Sequence, residues 1–147
     1  MLTNDGFRSL DRPECLRLLA EVPVGRVVYT RQALPAVLPV NFALDPDSSV
    51  LLRTSAGSDL VRAVDGVVVA FEADAFDARS RSGWSVVVTG QAGVVTDPAE
   101  HERLLRTGPH SWMPIRDDVF IRIESAMVTG RELVDLRTTP TCWPTYG

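Results

Sequence analysis

The chain has 147 residues, 45 % hydrophobic and 23 % charged, with a net charge of -4 and a pI of about 5.1. That balance fits one soluble domain able to bury a core without metals or disulfides, and gives no electrostatic reason to expect a nucleic acid or an anionic membrane as partner. All 15 basic residues are Arg, so Schiff-base and catalytic-lysine chemistry are excluded, and a phosphate clamp has to use Arg, hydroxyls or backbone amides.

"SLDRPECLRLLAEVPVG" offers Ser9 or Asp11 as a cap and Pro13 near a first helical position. Cys15, Leu16 and Leu19 share one face, so it reads as a short amphipathic helix stopped by Pro23 and Gly25. "GRVVYT" is the first expected strand, and Arg31–Leu34 a turn. "AVLPVNFAL" is the second strand, with Pro39 inside it. A proline cannot donate to a ladder, so this strand is at an edge, bulged, or has its free side occupied. "DPDS" is a turn and "SVLLRT" the third strand, leading into a short helix around Ser58–Val64. "GVVVAFEADAF" and "WSVVVTGQAGVVT" are the fourth and fifth strands, Gly90 and Gly93 marking bulges or bends in the latter. "DPAE" opens a helix with Asp97 as N-cap, Pro98 first, and Glu100 completing a capping-box pattern. "VFIRIESAMVTGREL" reads as one bent strand or two, and "TTPTCWPTYG" as a tail. Residues 1–137 form one domain, and 138–147 the tail.

Many β-branched strands with too few helices for parallel crossovers argue for a mainly β fold, an antiparallel barrel with peripheral helices. The two histidines, His101 and His110, lack metal-site spacing, and Cys15 and Cys142 form no CxxC pair, so no metal site is expected. Cys15 is expected at a helix–sheet contact. Without a secretory signal or an apolar run long enough to span a bilayer, the cytoplasm is the expected compartment. No GxSxG elbow supports a hydrolase, and Glu72 and Asp74, two apart on a strand, read as a solvated rim.

"RTSAGSDL" concentrates a guanidinium and hydroxyls at a helix start: Arg53, Thr54, Ser55 and Ser58, with Gly57 allowing close backbone approach. Taken alone it reads better as a capped turn, with Ser55 or Ser58 as the cap. Two other segments add to it. "LPVNF" carries the strand proline, and Trp84 and Ser85 stand at the entrance of the fifth strand, where Trp84 also suits a barrel-end plug.

In this order and spacing, "VGRVVYT", "LPAVLPVNFAL", "LLRTSAGSDL", "VVAFEADAFD", "SGWSVVVTGQA" and "FIRIESAMVTGREL" resemble the pyridoxamine 5′-phosphate oxidase-like flavoproteins, and among them the short nitroimidazole-resistance-like branch, from about Leu10 to Leu133. The resemblance implies a six-stranded antiparallel split β-barrel of the FMN-binding type that forms a homodimer, with FMN between protomers and a small-molecule substrate in the same groove. It implies that Pro39, Val40, Asn41 and Phe42 lie along the isoalloxazine ring. Arg53, Thr54, Ser55 and Ser58 would hold the phosphate, and Trp84 and Ser85 would close over it. Asp59 stands where the family usually has Lys or Arg, with Arg53 or Arg62 available to compensate. Substrate-binding segments of true pyridoxamine phosphate oxidases are not found, so vitamin B6 oxidation is not expected. The expected activity is flavin-dependent oxidoreduction with no protein acid or base assigned. The alternatives are deazaflavin F420, favoured by Arg26, Arg31, Arg79 or Arg81 around the groove, haem, or a non-catalytic binding protein.

Overall fold

The computed structural model describes residues 6–112 and 117–134. In chain order these form β1 (Phe7–Leu10), α1 (Arg12–Leu19), β2 (Val24–Arg31), β3 (Leu34–Leu44), β4 (Val50–Ser55) and α2 (Asp59–Val64). There follow β5 (Val68–Asp77), β6 (Ser82–Val94), α3 (Pro98–Thr107), β7 (Asp118–Ile123) and β8 (Met127–Leu133). The sequence had suggested the other strands but not β1, whose four residues are too few to show a period. The tail and its boundary at residue 137, with Cys142, lie outside the described residues.

Six strands close on themselves in the order β6, β5, β2, β3, β4, β7 and back to β6, every pair antiparallel. Closure is possible because the 13-residue β6 shares one of its edges between two partners. Gly83–Thr89 pair with β8, and Ala92–Val94 with β7. Gly90 sits at the fork, where the link from β7 to β8 passes so close that a Cβ would lie 1.7 Å from the Glu124 carbonyl oxygen. The suspected bend at Gly90 is thus a strand-sharing point, while Gly93 stays in the ladder with open space beside it. β8 and β1 extend the sheet beyond the barrel.

Alternation along the strands fills the interior. Val27, Val50, Leu52, Phe71, Val86, Val88, Ile121 and Ile123 are buried together, each such side chain contributing roughly 1.5–3 kcal/mol. Leu60 and Val64 of α2 join this core. Asp11 caps α1 in a reciprocal box with Glu14, and the helix lays Cys15 on β8. The fit is close enough that a Cβ on Gly130 would stand 2.5 Å from the Cys15 sulfur. On the outside, Leu51, Leu104 and Phe120 fasten α3 over β4 and β7.

At the start of α3, Asp97 accepts from the Ala99 amide as expected, but Glu100 does not reach back to close a capping box. Its carboxylate is held by Arg103 and, at 2.6 Å, by Arg122. Charge-assisted bonds to two guanidiniums outweigh one to a neutral amide.

The β2–β3 hairpin turns on Gln32 and Ala33, at φ of 50° and 65°. Two consecutive positive-φ residues define the turn type that favours Asn-Gly. Ala33→Gly is therefore expected to stabilise the protein by about 0.5–1 kcal/mol, read as a higher urea midpoint at unchanged m. A lower midpoint would show that the glycine's entropy cost prevails.

Candidate functional site

β3 and β4 pair only through Phe42–Leu44 and Val50–Leu52, then part. From Leu34 to Asn41, β3 pairs in the ladder with β2 alone among the described strands. The Phe42 amide donates to the Pro23 carbonyl on the β2 side, and the register runs without a bulge. Antiparallel alternation therefore turns the main chain of Pro35, Val37 and Pro39 to the open side. Pro39 lacks its N–H on the side where no described strand would receive one; of the three explanations its sequence left open, the unbroken register excludes the bulge and leaves an edge or an occupied free side. The open edge offers three carbonyls and the Val37 amide.

The four ring-strand candidates divide by the same alternation. Phe42 is buried edge-on against Phe71 at 4.7 Å, and Val40 packs on the core. Pro39 and Asn41 face outward, and Asn41 Oδ1 accepts from the Trp112 amide at 3.2 Å.

The phosphate candidates also divide. Thr54 Oγ1 lies 3.2 Å from Ser58 Oγ, and that hydroxyl caps α2 by accepting from the Val61 amide. Arg53 points to the opposite face of β4, as Ser55 does by alternation. There Arg53 donates to Asp118 through Nε at 3.2 Å and through Nη2, and it covers the Phe120 ring at 5.6 Å. Among the described residues the other Asp118 oxygen is buried without a hydrogen-bond partner, and Arg53 is the cation paired with this carboxylate. Arg53 is committed to the fold.

Asp59 has two cations of its own. Arg62 Nη2 approaches it at 2.6 Å and Arg31 Nη2 at 2.8 Å. The Arg62 hydrogen bond, then the Arg31 charge, hold its carboxyl below the usual range. Arg62 was legible from its helical spacing. The pairing of Arg31 with Asp59 was missed, because only closure of the barrel brings the end of β2 to α2.

Trp84 is 8 % exposed and belongs to the core, as the plug reading anticipated; Ser85 faces outward, between Asp74 and Arg131 in register. On the same outer face Arg26 Nη1 bridges Glu72 at 3.0 Å and Asp74 at 3.3 Å. Burial, then the Asp74 carboxylate, push Glu72 up to about 7 against the pull of Arg26. The expected solvated rim is a half-buried ion cluster, with Arg26 also opposite Pro39 in register. His101 rests edge-on against Phe120, 5.3 Å away, in a structural contact.

The donor set fits a flavin phosphate. Main-chain carbonyls and an amide along an open strand suit the polar rim of a planar ring. The Thr54 and Ser58 hydroxyls, with Arg31 and Arg62 beyond Asp59, suit its phosphate. Arg53 does not contribute in this arrangement.

A family model described as pyridoxamine 5′-phosphate oxidase matches residues 11–132. The chain is 48 % identical over 140 residues to the uncharacterized protein Rv0080 of Mycobacterium tuberculosis, a match spanning 90 % of this chain and 89 % of that one. Its fold is similar to the FAD binding protein from Mycobacterium smegmatis, with a TM-score of 0.72, 34 % identity, and coverage of 86 % of this chain and 97 % of the other. It is also similar to a FAD-binding protein from Mesorhizobium loti, with a TM-score of 0.69, 26 % identity, and the same coverage of 86 % and 97 %.

Proposed function

The chain belongs to the pyridoxamine 5′-phosphate oxidase family, and we propose that it is a homodimeric flavin-dependent oxidoreductase acting on a small organic substrate. The open edge of β3 carries this reading, since it leaves three carbonyls and an amide where β3 parts from β4, the strand that leads to the Thr54 and Ser58 hydroxyls. The flavin supplies hydride or electron transfer at N5. The Val37 amide and the Pro35, Val37 and Pro39 carbonyls orient the ring. Thr54 and Ser58 donate to the phosphate, for which Thr54 turns its hydroxyl hydrogen away from Ser58 Oγ while Ser58 Oγ keeps the bond from the Val61 amide. FMN is the smallest flavin that uses all these groups. FAD is the second reading, favoured by two similar structures described as FAD-binding.

Support for the homodimer comes from the outer face of the sheet. Val37 and Met127 fall in register with Ala70 through Val28 and Thr89, Val68 is two positions along, and all three are more than half exposed, apolar surface that a second copy would cover.

The absorption spectrum of the purified protein tests the cofactor, with chromatography of whatever is released by denaturation. A flavin spectrum and released FMN or FAD are expected. A Soret band, or failure to take up either flavin on titration, would overturn the reading. Asp59→Asn frees Arg31 and Arg62 for the phosphate, and is expected to tighten FMN binding about tenfold. Unchanged affinity with the fold intact would remove this corner from the phosphate site.

A further inference from the structure

Trp112 is the most exposed large hydrophobic side chain among the described residues, at 71 %. A single exposed indole needs no explanation by itself. Its attachment does. The Trp112 amide is held by the side chain of Asn41, a residue 71 positions away at the point where β3 parts from β4. The chain leading to it is anchored as well. Pro109 is buried, and the Gly108 amide donates to the Leu104 carbonyl at 2.8 Å. Two anchors thus carry the backbone from α3 to the Asn41 side chain at the apex of the open edge, on a segment whose indole is exposed.

We infer that Trp112 is a positioning residue for the cofactor, giving the isoalloxazine ring an aromatic wall at the end of the open edge, with Asn41 setting its place. This inference rests on the flavin reading above. Its chemistry is that of any flat electron-poor ring beside an electron-rich one: offset or edge contact adds to affinity beyond the buried area. An indole at that range also quenches flavin fluorescence by donating an electron to the excited ring. Asn41 acts through Trp112, which accounts for a polar side chain turned outward at the fork.

The test is a titration of cofactor-free protein with FMN, following flavin fluorescence, on wild type, Trp112→Ala, Trp112→Phe and Asn41→Ala. Trp112→Ala is expected to weaken binding at least tenfold, whereas Trp112→Phe keeps it within about threefold. Bound flavin should be several-fold brighter in Trp112→Phe than in wild type, a change that a merely structural role would not produce. Asn41→Ala should fall between wild type and Trp112→Ala. Because the indole is exposed, thermal melting of both Trp112 variants should match wild type. If wild type binds FMN, and Trp112→Ala binds it equally with the same fluorescence, the role of Trp112 is overturned alone. If wild type takes up no flavin, the functional reading and this inference fall together.

Discussion

Gly90→Ala is expected to destabilise the protein by about 3 kcal/mol or more, at or above the upper end of the ordinary cost of overpacking. The added Cβ would stand 1.7 Å from the Glu124 carbonyl oxygen and 2.7 Å from its carbon. Both are main-chain atoms, so no flexible side chain can yield. Nor can the link move freely, because Ile123 before it is paired with β4 and β6, and Met127 after it with β6. The Glu124 amide is itself bonded to the Gln91 carbonyl. Gly93→Ala is the control, in the same strand but with nothing within 4 Å of the new methyl. Its expected effect is within about 0.5 kcal/mol of wild type. Urea midpoints of the two variants measure the contrast. Equal midpoints would mean that the strand-sharing fork is not held at Gly90.

The second large effect is a pH dependence centred on Glu72. Its folded-state pKa of about 7 lies above the 4.5 of an ordinary glutamate, chiefly because burial disfavours the charge. The folded state therefore binds this proton more tightly than the unfolded chain. The contribution is fully favourable below about pH 4.5 and is lost as pH rises through 7. A shift of that size at a fully buried group corresponds to about 3 kcal/mol. The Glu72 side chain is 26 % exposed and bridged by Arg26, so solvent and counter-charge reduce the expected loss to about 1–2 kcal/mol. Glu72→Gln removes the titration while keeping an acceptor for Arg26. It should match wild type at pH 4 and exceed it by that amount at pH 8, as read from urea unfolding at both values. Parallel profiles would show that Glu72 ionises normally. The cluster lies on the face proposed for the second copy, so dimerisation would bury it further and strengthen the effect.

Much of the fold was legible because local chemistry is short-range. Pro98 after Asp97, Ser58 before α2, and the β-branched runs of β2, β5 and β6 each announce their element within a few residues. β1 was invisible because four residues hold no pattern, and because its strand partner among the described residues is β8, more than 110 positions further on. The site was legible in part. Pro39 in a strand pointed to an edge, a bulge or an occupied free side, and the register excluded the bulge. The segment 53–58 looked like one cradle because its polar residues are consecutive, yet consecutive strand residues face opposite ways. Thr54 and Ser58 meet, while Arg53 turns to Asp118.

The sequence by itself determined the mainly β architecture, its peripheral helices, the strand whose proline cannot complete a ladder, and the resemblance that carries the family. These follow from side-chain period, proline chemistry and capping, which act over a few residues. Only the tertiary structure decided how charges are partnered: Arg53 with Asp118, Arg31 with Asp59, Arg26 with Glu72 and Asp74. Each of these pairs joins different elements. Their partners are chosen by barrel closure and strand register, which depend on contacts distant in the chain and leave no trace in its local order.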